Sequence, residues 1–239
     1  MKKITDLKVK IFADGADING MLEMNAEAFI KGLTTNPTLM RKAGVTDYSK
    51  FCKEVLKTVK NKPISFEVFS DSFVEMEAQA LEISSWGDNV YVKIPVTNTK
   101  QESSCELIEK LASKKVKLNV TALLTLDQVK SVVSVLSPRV PSYISIFAGR
   151  IADTGIDPVP IMSSALEIMK VLPNSELIWA SPRELLNIFQ ADSIGCHVIT
   201  VSNDILKKLH LVGYSLKEYS LDTVKMFNND ALAAHYTIL

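Results

Sequence analysis

The stretch "NVYVKIPVTN", residues 89–98, holds a charge where a strand should hold none. Val, Tyr and Ile favour extended backbone, Pro95 closes the run, and Lys93 stands in its middle. Parallel strands are covered on both faces, so in such a sheet this ammonium would be enclosed. Enclosing a charge is costly unless it is paired or used. Whether the run belongs to a parallel sheet depends on what surrounds it.

Similar short runs recur along the chain: "KVKIFAD", "AFIKGLTT", "ISFEVFS", "VKLNVTALL", "SYISIFAGRI", "ELIWAS" and "CHVITVS". Between them lie "DYSKFCKEVLKTVKN", "SFVEMEAQALEISSWG", "SSCELIEKLASKK", "TLDQVKSVVSVLS" and "PVPIMSSALEIMKVL", with apolar residues at helical three- and four-residue intervals. Strands alternating with helices, without a linker or a low-complexity segment, predict an α/β protein: one (β/α)8 TIM barrel over residues 1–239, with a C-terminal helix. An open doubly wound sheet gives the same alternation and is the competitor. A spacing of about thirty residues per unit favours the barrel.

Composition narrows the function classes. The chain has 239 residues, 47% of them hydrophobic, with 27 basic and 27 acidic side chains. A balanced charge gives no field that would gather nucleic acid or an anionic membrane. No apolar run has the length of a membrane span, and "MKKITDLKVKIFADGAD" turns polar too early for a signal peptide. Cys52, Cys105 and Cys196 stand in unrelated contexts, as reduced thiols do, so the expected compartment is the cytoplasm.

Strand after strand meets a polar residue toward its C-terminal end: Asp14, then Asn36, Glu67, Lys93, the same-face pair Asn119 and Thr121, Arg150 and Ser181. In a (β/α)8 barrel these ends converge on one mouth, where the active sites of this fold lie. A lysine deprived of water and held near other cations offers a free amine, which attacks a carbonyl to form an iminium. The iminium is an electron sink for breaking the neighbouring C–C bond, and Asp14 and Glu67 are available for the proton transfers. Other motifs carry less. "GADING" lacks the Lys and Ser/Thr of a phosphate loop, and Cys196-His197 reads as two core residues. His210 and His235 have no ligand-spaced partner, so no metal is expected.

At "FADGAD", "GLTTNPTL", "FEVF", "VKIPVT", "LNVTALLTLDQ", "SIFAGRIADTG" and "WASPRE" the chain resembles the transaldolase family, in order from about Lys8 to the C-terminus. The resemblance implies a Schiff-base barrel of carbohydrate metabolism, in the pentose phosphate pathway, that needs neither metal nor cofactor. It implies that Lys93 forms the Schiff base, that Asp14 is the acid/base at the C4 hydroxyl, and that Glu67 and Thr121 hold the catalytic water. Asn36, Asn119 and Ser145 would orient the dihydroxyacetone unit, and Arg150, Ser181 and Arg183 would grip the sugar phosphate. The last helix, about "SLDTVKMFNNDALAAHY", resembles one that packs on a neighbouring subunit in small members, which implies a homo-oligomer.

The related fructose-6-phosphate aldolases carry Gln where this chain has Glu67 and Tyr where it has Phe147, so the resemblance favours transfer to an aldehyde over release of free ketone. The alternatives are a lyase of the aldolase type and a sugar-phosphate-binding barrel without catalysis.

Overall fold

β-Branched and aromatic residues dominate the runs that become strands. In the computed structural model, which describes residues 4–238, these are β1 (Lys10–Asp14), β2 (Ile30–Thr34), β3 (Ile64–Glu67), β4 (Val90–Pro95), β5 (Leu118–Leu123), β6 (Ser142–Ile146), β7 (Ser175–Trp179) and β8 (Val198–Ser202). Each pairs in parallel with its sequence neighbour, and β8 returns to β1, with Asp14 opposite Ser202. The closed order β1 to β8 is a TIM barrel, and it excludes the open sheet. Residues 1–3 and 239, the outermost positions of the expected 1–239 domain, lie outside the described residues.

The two parities of each strand enter two different cores. Ile11, Leu33, Phe66, Val92, Val120, Ile144, Trp179 and Ile199 point outward and join the helices in one large apolar cluster. The opposite parity points into the lumen, where Phe12, Tyr143, Ile178, Ala180 and Val198 form a small cluster flanked by Tyr91 and Phe147. Phe12 meets Tyr143 edge-on at 5.6 Å, and Tyr91 lies 4.4 Å from Tyr143. Gly32 makes room for this plug, since a Cβ there would come within 2.5 Å of the Phe12 ring. The lumen is thus filled by rings in its lower part. Polar side chains of the same parity, one or two steps further along the strands, sit above them.

Amphipathic helices cover the outside. Tyr48–Thr58 buries Phe51, Cys52, Val55 and Leu56, and Asp47 starts it by accepting from the Lys50 N–H. Thr125 and Gln128 form a reciprocal cap on Leu126–Val135. The C-terminal helix, Leu216–Ala233, behaves differently. Ser215 caps it, yet none of its residues is buried, and Leu216, Leu221, Val224, Phe227 and Leu232 face outward.

Two local expectations need correction. The run "SYISIFAGRI" is not strand throughout: β6 ends at Ile146, and Ala148–Asp153 is a short helix carrying Arg150. Cys196 and His197 precede β8 rather than lying in it. The Cys196 thiol is buried and contacts the Leu177 carbonyl, and burial pushes it up to about 12. That is no nucleophile.

Candidate active site

The parity that carries Tyr91 into the lumen carries Lys93 there two residues later. Lys93 is 7% exposed, and its Nζ lies 3.0 Å from Glu67 Oε2 and donates to the Thr35 carbonyl at 3.0 Å. Glu67 and Lys93 are register partners on β3 and β4, so the pair forms sideways across adjacent strands. Of the two carboxylates the sequence offers for proton transfer, Glu67 is the one whose charge meets the amine directly.

Asp14 ends β1 on the same parity as Phe12 and accepts a hydrogen bond from Thr34 Oγ1 at 2.8 Å. Loss of solvent raises its carboxyl above the usual 3.8, opposed by the charge of Lys93 and by the Thr34 hydrogen bond. A carboxylate raised in this way is a stronger base toward a hydroxyl. On β5 and β6, Ser145 Oγ donates to Asn119 Oδ1 at 2.7 Å, and Asn119 Nδ2 donates to Ser65 Oγ at 3.0 Å. The amide is held from both ends, fixing which face it shows a ligand. Thr121 Oγ1 is buried and makes no hydrogen bond within the described protein, so it can bind a water or substrate hydroxyl.

Cations gather at the rim. Gly149 allows this, because a Cβ there would fall 1.6 Å from the Ser181 carbonyl oxygen. The turn after β6 therefore presses onto the loop after β7, bringing Arg150 toward Ser181 and Arg183. Arg150 lies over the Phe147 ring, 5.7 Å from its centroid. Arg183 donates through Nη1 to Ser181 Oγ at 2.9 Å and through Nε to Asp153 Oδ1 at 2.8 Å, with a further bond from Nη2 to Asp153. That fork holds the Asp153 carboxyl below its ordinary value. Ser181 and Ala122 both have left-handed backbone, with φ of 59° and 65°, a strained conformation for side-chain-bearing residues. Asn36 spends its Oδ1 on the Leu39 N–H at the start of helix Pro37–Lys42, which leaves its Nδ2 for a ligand.

Every residue the sequence assigns to the site lines one cavity of about 570 Å3 at the C-terminal mouth of the barrel. Thr34, Lys42 and Thr200 line it too. Thr34, and Ser65 beside it on β3, could have been found from the sequence. Each stands two residues before a chosen one, on the same face. Lys42 and Asp153 lie on short helices beyond the strands and have no comparable signal.

The family described as Transaldolase/Fructose-6-phosphate aldolase matches residues 11–238. A "Probable transaldolase" of Thermoanaerobacter sp. is 31% identical over 219 residues, covering 91% of this chain and 95% of that protein. One from Methanococcus maripaludis is 30% identical, covering 84% and 89%. Among solved structures, 3-keto-L-gulonate-6-phosphate decarboxylase from Vibrio cholerae superposes with a TM-score of 0.56 over 82% of this chain and 88% of its own, at 12% identity, a likeness of fold alone. The chain belongs to the transaldolase/fructose-6-phosphate aldolase family.

Proposed function

We propose that the protein is a transaldolase, moving a dihydroxyacetone unit from a ketose phosphate to an aldose phosphate through a Schiff base on Lys93. The observation that carries this reading is a buried lysine amine, 3.0 Å from a carboxylate, in the same cavity as two guanidinium groups. An amine at that depth suits carbonyl addition, and the Arg150 and Arg183 guanidinium groups, lining the same cavity as Ser181, suit a phosphate dianion.

The steps follow from the positions. Glu67 takes a proton from the Lys93 ammonium, and the free amine adds to the ketone carbon C2. The carbinolamine loses water, its leaving oxygen protonated from Glu67 with the water bridged to Thr121. Asp14, as carboxylate, removes the C4 hydroxyl proton while the C3–C4 bond breaks, and that electron pair enters the iminium to give an enamine. The first aldose phosphate leaves. An acceptor aldehyde then takes the enamine's electron pair at its carbonyl carbon, Asp14 returns the proton to the new alkoxide, and water hydrolyses the iminium. Asn119 and Ser145 orient the three-carbon unit with Asn36, while Arg150, Ser181 and Arg183 hold the phosphate.

The second reading is a lyase that releases dihydroxyacetone. Phe147 lines the cavity and has no hydroxyl with which to protonate the enamine, which favours transfer. The test measures free dihydroxyacetone from fructose 6-phosphate with and without erythrose 4-phosphate. Product that appears only as a new ketose phosphate supports transfer, and release at an equal rate without acceptor supports the lyase.

The uncovered apolar residues of Leu216–Ala233 support a homo-oligomer built on that helix, which light scattering of the full chain would detect. The unpaired thiols of Cys52, Cys105 and Cys196 fit the cytoplasm as the compartment.

A further inference from the structure

The ladder between β2 and β3 stops one rung short, and the group filling the gap touches the residue that meets the lysine. Leu33 N–H donates to the Pro63 carbonyl, and Thr35 N–H donates to the Ser65 carbonyl, the evenly spaced pattern of a parallel pair. The next rung in that pattern would run from Glu67 N–H to the Thr35 carbonyl. Both groups bond elsewhere. The Thr35 carbonyl accepts from Lys93 Nζ, and Glu67 N–H donates to Tyr48 Oη at 2.8 Å. The Tyr48 hydroxyl donates in turn to the Glu67 carbonyl at 2.7 Å.

One phenol on helix Tyr48–Thr58 therefore satisfies both backbone groups of Glu67, in the place β2 would occupy had it continued. Its ring is fixed edge-on to Phe69 at 5.2 Å and lies 6.5 Å from Trp86. Burial raises the phenol's pKa, so it remains a donor at any working pH.

We infer that Tyr48 is a positioning residue for catalysis: its hydroxyl anchors Glu67 so that the carboxylate reaches Lys93 Nζ, and by replacing the missing rung it leaves the Thr35 carbonyl to the same amine. This rests on the proposed roles of Lys93 and Glu67. Without the hydroxyl, Glu67 N–H has the Thr35 carbonyl as its natural acceptor. Closing that rung would withdraw the carbonyl from Lys93 and turn the carboxylate.

Tyr48→Phe keeps the ring and removes only the hydroxyl. A misplaced proton-transfer group should lower kcat by about 10- to 100-fold, and slow borohydride trapping of the Lys93 adduct by the same factor. Because the phosphate corner is untouched, KM for the phosphosugar should stay within about twofold. Glu67→Gln removes the carboxylate but keeps the backbone N–H that can close on the Thr35 carbonyl, so adding Tyr48→Phe to it should lower kcat by clearly less than in the parent. A Tyr48→Phe chain that folds cooperatively and turns over at the parental rate overturns the inference. So does an equal loss in both backgrounds, or a chain that does not fold, which would make the hydroxyl a structural requirement. A fully active Glu67→Gln chain would instead remove the proposed role of Glu67, and the inference with it.

Discussion

The lumen holds a lysine–glutamate pair at each end, and the closer pair is the less consequential. At the N-terminal end, Lys10 Nζ lies 2.5 Å from Glu176, with side chains 47% and 27% exposed. At the C-terminal end, Lys93 lies 3.0 Å from Glu67, with side chains 9% and 18% exposed. Water screens the first pair and supplies either partner with other hydrogen bonds, so its net contribution is small. The second pair has lost most of its solvent, and its energy depends on each partner keeping the other. Between them the Phe12, Tyr91 and Tyr143 rings plug the barrel. Distance does not separate a structural ion pair from a candidate catalytic one. Depth and available chemistry do.

The largest effect should follow from removing the deep amine. Lys93→Met should abolish turnover, and should lower stability by about 1–3 kcal/mol because the Glu67 carboxylate loses its partner. Activity assays and urea melts check both. Next comes Asp14→Asn, which should lower kcat by about 100-fold or more. Its effect on stability has the opposite sign. The folded carboxyl binds its proton more tightly than the unfolded one, so its contribution is complete below 3.8 and is lost as pH rises through the raised folded value. Asparagine does not ionise and escapes that loss. Asp14→Asn should melt higher than the parent at neutral pH, and the gap should close on acidification.

Arg150→Ala should act on binding rather than on the pair. Loss of a charge-assisted phosphate contact of about 1.5–3 kcal/mol raises KM for phosphosugars roughly 10- to 150-fold. An unchanged KM would remove Arg150 from the phosphate site. The smallest effect belongs to the shallow pair: Lys10→Met should shift stability by at most about 1 kcal/mol and leave kcat unchanged. If Lys10→Met cost as much stability as Lys93→Met, burial would not be what separates the two ends.

Much of the site was legible because a strand has period two and a barrel has one mouth. Asp14, Glu67, Lys93, Asn119 and Thr121 are read from those two facts, and the strands from their β-branched runs. What was not legible depends on residues far apart in sequence. That Glu67 pairs side by side with Lys93 follows from the register between β3 and β4, which no local pattern states. Arg150 reads as a strand end because Ile146 and Phe147 extend the β-prone run. The turn that places it on a helix rests on Gly149 meeting Ser181, a contact between separate loops. Asp153 holding Arg183 and Tyr48 holding Glu67 are of the same kind, made across elements and silent in either segment alone.

The central claim is that the deep amine, and no other lysine, carries the substrate. Incubating the full chain with fructose 6-phosphate and sodium borohydride, then mapping peptides by mass spectrometry, reads it directly. Reduction should fix a three-carbon adduct on Lys93, and Lys93→Arg, which keeps the charge but cannot add to a carbonyl, should carry none. Label on any other lysine, or labelling that persists in Lys93→Arg, would contradict the account.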